Sequence, residues 1–256
     1  MNTLSDSTRG TSDADETLLV FAAASLTDAF QSIGTSFQEG KPEVEVQLNL
    51  GGSQQLAQQI VGGAPGDVFA SANRVQMQIA TDSGRISETA VRTFAANELV
   101  IIFPPDNPAQ VTTLQDLANP GTRLVLAAQE VPAGRYALQF LDNAAAELGT
   151  DYRERVLQNV ASYELNVRAV LTKVTLGEAD AGIVYSSDIS GLSSAEVGKL
   201  EIPEHLNVVA YYYVAPLNDA ANSSLARAFV DYILSAPGQG ILRRYGLIPV
   251  SDSAQE

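Results

Sequence analysis

The sequence predicts an α/β protein whose largely parallel sheets are flanked by helices. From Thr17 onward, short β-rich runs alternate with helix-length segments, the pattern of strands joined by helical crossovers. The longest apolar runs, such as Leu18 to Ala24 and Leu99 to Phe103, are short and bounded by polar, Pro or Gly residues, so they read as buried strands. None approaches the ~20 apolar residues of a membrane span. Of the 256 residues, 45% are hydrophobic and 18% charged, a balance that supports a substantial core.

Taken in order, Met1 to Glu16 is rich in Ser, Thr, Asp and Gly and lacks the apolar stretch of a secretory signal, so it reads as a disordered leader. Thr17 to Ala24 is the first expected strand, followed by a helix over Leu26 to Gln38. Val44 to Leu50 alternates apolar residues and forms a second strand. Gly51-Gly52-Ser53 then opens a helix through Ile60, stopped by Gly62-Gly63. Asp67 to Ala70 is a short strand with a helix after Asn73, and Glu98 to Phe103 a strand ended by Pro104-Pro105. The pattern then restarts with a strand at Leu124 to Ala128 and a long helix at Pro132 to Leu148, proline in its first turn. Helices over Tyr152 to Gln158 and Val167 to Leu176 frame a strand at Val160 to Tyr163. Ala181 to Tyr185 and Val208 to Val214 are further strands, the latter with three consecutive tyrosines. Helices at Ser223 to Leu234 and Gly238 to Tyr245 close the pattern, and 251–256 is a tail.

Composition removes several function classes. There is no cysteine, hence no disulfide, thiolate metal site or cysteine nucleophile, and the single histidine, His205, rules out a histidine-rich metal centre. A net charge of −15 argues against nucleic-acid binding. No Gly-x-Ser-x-Gly elbow occurs, and no Gly-x-Gly-x-x-Gly follows a strand. Gly191 to Lys199 ends in Gly-Lys, but its spacing is wrong for a phosphate-cradling loop and Leu200 replaces the needed hydroxyl. The 30 carboxylates form no recognisable acid/base or metal-ligand motif and read as a solvated surface.

What remains is a set of strand-to-helix junctions made of small and hydroxylic residues. A helix begins with unpaired N–H groups and the positive end of its dipole, so such junctions suit anions. Ser25, with Thr27 as an alternative cap, stands at one junction, and Ser53 after two glycines at another. Ala133-Gly134 and Asn166-Val167 form a third and a fourth. Two readings stay open for the hydroxyls: anion donors, or plain helix caps.

The run Val20-Phe21-Ala22-Ala23-Ala24-Ser25-Leu26-Thr27-Asp28-Ala29 resembles the opening signature of the molybdate-binding proteins of ABC importers. Gly52-Ser53-Gln54-Gln55-Leu56-Ala57-Gln58-Gln59-Ile60 is similar to that family's second serine segment. Gly63 to Ala72, Val131 to Ala137 and Gly182 to Asp188 match three more of its stretches, and the likeness runs from Thr17 to about Val250. The resemblance implies a type II periplasmic-binding-protein fold with two lobes: 17–97 plus 211–250 as lobe 1, and 98–210 as lobe 2. It implies an oxyanion held by Ser25 and Ser53 from one lobe and by the N–H groups of Ala133 and Val167 and the Tyr185 hydroxyl from the other. Asn166 departs from the family, where an acidic residue is common, and Gly51-Gly52 replaces a more hydroxyl-rich run. On the alternative reading Ala133 and Val167 only pack and Tyr185 is a core-edge tyrosine. Arg135 and Arg168 flank the donors, either adding positive potential or pairing at the surface.

The function implied is capture of molybdate, and of tungstate, by a non-enzymatic extracytoplasmic monomer that needs no cofactor and delivers its load to a membrane permease. A donor-only site without direct side-chain coordination of the metal also reconciles an acidic protein with an anionic ligand. The competing expectations are a receptor for another oxyanion such as sulfate, a ligand-sensing effector domain, and an enzyme on the same fold.

Overall fold

The computed structural model describes residues 16–250. The tail lies outside the described residues, as does the leader apart from Glu16, which opens the first strand. In chain order the first part contains β1 (Glu16–Ala23), α1 (Thr27–Glu39), β2 (Val44–Gly51), α2 (Ser53–Val61), β3 (Val68–Ser71), α3 (Arg74–Asp82) and β4 (Arg92–Asn97). The middle contains β5 (Leu99–Phe103), β6 (Leu124–Ala127), α4 (Pro132–Leu148), α5 (Tyr152–Gln158), β7 (Val160–Glu164), α6 (Val167–Thr175), β8 (Ala181–Tyr185) and β9 (Gly198–Glu201). The last part contains β10 (Ala210–Pro216), α7 (Ser223–Leu234), α8 (Ala236–Arg244) and β11 (Ile248–Pro249).

The strands form two sheets, ordered β11-β4-β10-β3-β1-β2 and β7-β6-β8-β5-β9, each the centre of a lobe. Each sheet has a parallel part, β2-β1-β3 in the first and β7-β6-β8 in the second. Antiparallel strands extend both: β10, β4 and β11 in the first, β5 and β9 in the second. The sheets are therefore mixed, more so than the helix-strand alternation predicts, because β4, β9 and β11 carry no strong strand signal. β9 is a half-exposed edge of alternating polarity, and β11 has two residues.

Period-two alternation makes β1 a two-faced core strand. Leu18, Val20 and Ala22 join Phe30, Ile33 and Phe37 of α1 in one apolar cluster. Phe21 turns the other way, towards Leu56 and Ile60 of α2, Phe69 of β3 and Met77 of α3. Helices consequently cover both faces, which leaves the carboxyl ends of the parallel strands free to carry loops. Buried Asp67 fastens this arrangement, accepting from Leu19 N (2.8 Å) and Ala221 N (2.9 Å).

The chain passes between the sheets twice, between Asn97 and Leu99 and between Glu201 and Ala210. Ala210, expected in the second lobe, is the first residue of β10 in the first sheet. β10 starts two residues later than the apolar run suggests because Asn207 claims the backbone before it. Its Oδ1 accepts from Val208 N (2.8 Å) and Leu99 N (3.1 Å), and its Nδ2 donates to Leu99 O (2.9 Å). One side chain thus ties the two crossings together.

Candidate functional site

Ser25 follows β1 inside a 3-10 turn (Ala24–Leu26) that delays α1 to Thr27. Ser53 is the first residue of α2, directly after β2. Neither serine caps its helix: α1 and α2 have no side-chain cap, and the Thr27 hydroxyl donates back to Ala24 O (2.7 Å). The capping reading therefore fails for all three. Ser53 Oγ instead accepts from Ala72 N (3.1 Å), and Ser25 Oγ lies 2.9 Å from the Tyr212 hydroxyl.

From the second lobe, α4 begins at Pro132 after β6 and α6 at Val167 after β7, so Ala133 and Val167 occupy first turns. First-turn N–H groups have no intrahelical acceptor. Among the described residues no protein group accepts from the N–H of Ser53, Ala133 or Val167. Asn166, where the family favours an acid, does cap α6, accepting from Ala169 N (3.0 Å). Gly134 lets α4 approach β6, since a Cβ there would meet Ala128 O at 2.1 Å.

These residues meet. Ser25, Ser53, Ala133, Val167 and Tyr185 all line one small cavity between the lobes. All five are buried, and neither a carboxylate nor a cationic side chain lines the cavity. Tyr185 is 1% exposed, yet its hydroxyl has no hydrogen-bond partner among the described residues. A buried hydroxyl without a partner costs about 1–3 kcal/mol, so this group is either strained or reserved for a ligand. Burial pushes its pKa well above the ordinary phenol value, which keeps the proton on it.

The lobes touch around the cavity. Gln54 Nε2 donates to Leu165 O (2.8 Å), and Gln76 Nε2 to Glu130 O (3.3 Å). Arg168 of α6 pairs with Asp28 of α1, and its Nε lies 3.3 Å from Asp188. Arg168 is thus engaged by carboxylates, whereas Arg135 is exposed. Asp188 sits behind the site, accepting from Tyr185 N (3.1 Å), and burial pushes its pKa up to about 7 against the pull of Arg168. At Gly52 the lobes approach so closely that a Cβ would lie 2.5 Å from Leu165 O.

Sequence reasoning missed Tyr212, Asn97 and Asp188, and the contact that Gly52 makes with the other lobe. Tyr212 carried the only readable signal, since alternation along a strand turns the middle of three tyrosines away from its neighbours. Tyr212 is fully buried while Tyr211 is exposed. Among the described residues no cluster of His, Cys, Asp or Glu could hold a metal ion, and no helix is long and apolar enough to cross a membrane.

Comparison with known proteins agrees with this architecture. The molybdate-binding protein ModA of Mycobacterium tuberculosis (strain ATCC 25618 / H37Rv) is 36% identical over 245 residues, which cover 96% of this chain and 89% of that protein. The molybdate-binding protein ModA of Escherichia coli (strain K12) is 34% identical over 250 residues, covering 95% and 93%. The solved periplasmic molybdate-binding protein of Azotobacter vinelandii shares the fold, with a TM-score of 0.76 at 19% identity over 91% of this chain and all of that one. Residues 18–248 match the family described as bacterial extracellular solute-binding protein. With nearly its whole length matched and a buried cavity between two lobes, the chain belongs to the bacterial extracellular solute-binding proteins.

Proposed function

We propose that the protein captures molybdate, and tungstate with it, between its lobes and hands the anion to the membrane permease of an ABC importer. The observation that carries this reading is a convergence of donors on one small, buried cavity that no carboxylate lines. The three hydroxyls belong to Ser25, Ser53 and Tyr185, and the free N–H groups to Ser53, Ala133 and Val167. Fixed donors and helix N-termini stabilise a dianion without any cationic side chain, and charge-assisted bonds are roughly twice as strong as neutral ones. That resolves the conflict between the ligand and a net charge of −15. The names of the relatives favour molybdate among tetrahedral anions. The metal is cargo, held through its oxygens, with no side chain bonded to it.

In this reading the anion bridges both lobes and favours the closed form, by its differential affinity for closed over open. The protein acts as an extracytoplasmic binding protein rather than an enzyme, and the closed form is what the permease recognises. Calorimetric titration of the anion-free protein with molybdate, tungstate, sulfate and phosphate tests it. Binding of the first two with the others silent is expected. Silence for molybdate beside a strong signal for sulfate would keep the site and replace the cargo.

A further inference from the structure

The cavity's hydroxyls differ in what holds them. Ser53 Oγ accepts from a backbone N–H, that of Ala72, so its own hydrogen is free to face the cavity. Only a shift of the chain would take that N–H away from Ser53 Oγ. Ser25 is held by a side chain, Tyr212, and the 2.9 Å contact between the two hydroxyls has no intrinsic direction.

The surrounding bonds supply the direction. Asn97 Oδ1 accepts from Glu98 N (3.0 Å), Ser186 Oγ (3.0 Å) and Ser187 N (3.4 Å). Backbone donors thereby fix which end of the Asn97 amide is oxygen. Its Nδ2 must then donate, to Ser187 Oγ (2.7 Å) and to the Tyr212 hydroxyl (3.3 Å). The Tyr212 phenol is fully buried and has one hydrogen. Asn97 Nδ2 cannot accept it. Tyr185, whose ring packs 5.8 Å from that of Tyr212, makes no hydrogen bond with it. Ser25 Oγ is the remaining acceptor, so Tyr212 donates to Ser25 and the Ser25 hydrogen turns to the cavity.

We propose that Tyr212 and Asn97 are specificity-determining residues. By holding Ser25 as a donor, they deny an acceptor to any oxyanion that carries a proton. The inference rests on the reading of this cavity as a tetrahedral oxyanion site. It makes rejection of hydrogen phosphate a property of side chains behind the cavity, which do not line it. Phosphate at neutral pH brings a hydrogen that must find a lone pair, whereas molybdate and sulfate bring none. A buried hydrogen without an acceptor is strongly disfavoured.

Two variants of the full chain test this by calorimetry with molybdate, sulfate and inorganic phosphate. Tyr212→Phe frees Ser25 to rotate and accept. Asn97→Asp places an acceptor beside Tyr212, which then donates to it, takes the Ser25 hydrogen and leaves a Ser25 lone pair facing the cavity. In both, the preference for molybdate over phosphate narrows by at least about tenfold, one hydrogen bond's worth. The narrowing grows as pH is lowered and phosphate gains protons, while the molybdate-to-sulfate ratio stays put. Adding Ser25→Ala to Tyr212→Phe abolishes the gain. Equal losses for all three anions, at every pH, would mean that Tyr212 and Asn97 only support the fold, and would overturn the inference. If the wild-type protein prefers another unprotonated anion to molybdate, the proposed cargo fails. The inference is then judged on that anion's ratio to phosphate in the same variants.

Discussion

Gly52→Ala isolates lobe closure from lobe folding. Gly52 has φ −62° and ψ 133°, a conformation open to alanine, so within the first lobe the methyl group brings no backbone strain and displaces only the flexible Gln54 amide, 2.6 Å from the new Cβ. Alanine is a poorer residue than glycine just before a helix but restricts the unfolded chain more, and these small effects oppose each other. Stability without ligand is expected to change by less than about 1 kcal/mol. The closed form is a different matter. The new Cβ would lie 2.5 Å from Leu165 O across the cleft, against an ordinary contact of 3.4 Å or more. The lobes must part there by roughly 1 Å, and the bond from Gln54 to Leu165 O stretches with them. In the proposed site this draws three second-lobe donors away from a ligand held by Ser25 and Ser53: the N–H groups of Ala133 and Val167 and the Tyr185 hydroxyl. A loss of about 1 kcal/mol from each charge-assisted bond sums to about 3 kcal/mol, or roughly 100-fold weaker binding. Calorimetry with molybdate, paired with a thermal melt of the anion-free protein, reads both effects. Wild-type affinity in Gly52→Ala would refute the idea that the 52–165 approach belongs to the binding-competent form.

Two further outcomes follow from groups around the cavity. Tyr185→Phe removes a hydroxyl that has no protein partner, so the anion-free protein keeps or gains stability while affinity falls about 10- to 100-fold; a lower melting point with unchanged affinity would reassign Tyr185 to the core. Asp188 has its pKa raised from 3.8 to about 7, chiefly by burial, with Arg168 opposing and Asp28 reinforcing the shift. The folded chain therefore holds a proton that the unfolded chain has released, so the stability it contributes is complete below 3.8 and lost as pH rises through about 7. The loss is about 4 kcal/mol at most. Asp188→Asn, whose amide oxygen still accepts from Tyr185 N, is expected to flatten that part of the stability profile measured by denaturant titration. Parallel profiles for the two proteins would show that Asp188 ionises freely in the fold.

Much of this was legible in the sequence, because strand alternation and Gly or Pro stops are local properties. Apart from β4, the helix-strand order reads directly from residues 17 to 185, and the two serine junctions stand where small residues follow a strand. The roles of those serines do not read locally. Ser25 looks like a cap until the Tyr212 hydroxyl, 187 positions away, is found 2.9 Å from its own. Ser53 looks like one until the Ala72 N–H arrives from just beyond β3. Gly52 is similar: the sequence shows a glycine that replaces a hydroxyl-rich run, and only the carbonyl of Leu165 shows a steric limit. Edge strands such as β9 escape notice for a different reason, since a half-exposed run containing Lys199 and Glu201 has the composition of a loop.

The Asn207 amide has a mechanical consequence. It offers Leu99 both the acceptor and the donor that an adjacent strand would, and so rivets two covalent straps into a single plate. Straps joined in that way resist shear between them and yield most easily to bending about a common line. Any opening about that line would swing one leaf of the molecule against the other as a rigid body, and the helix starts that line the cavity would move together instead of peeling away one by one.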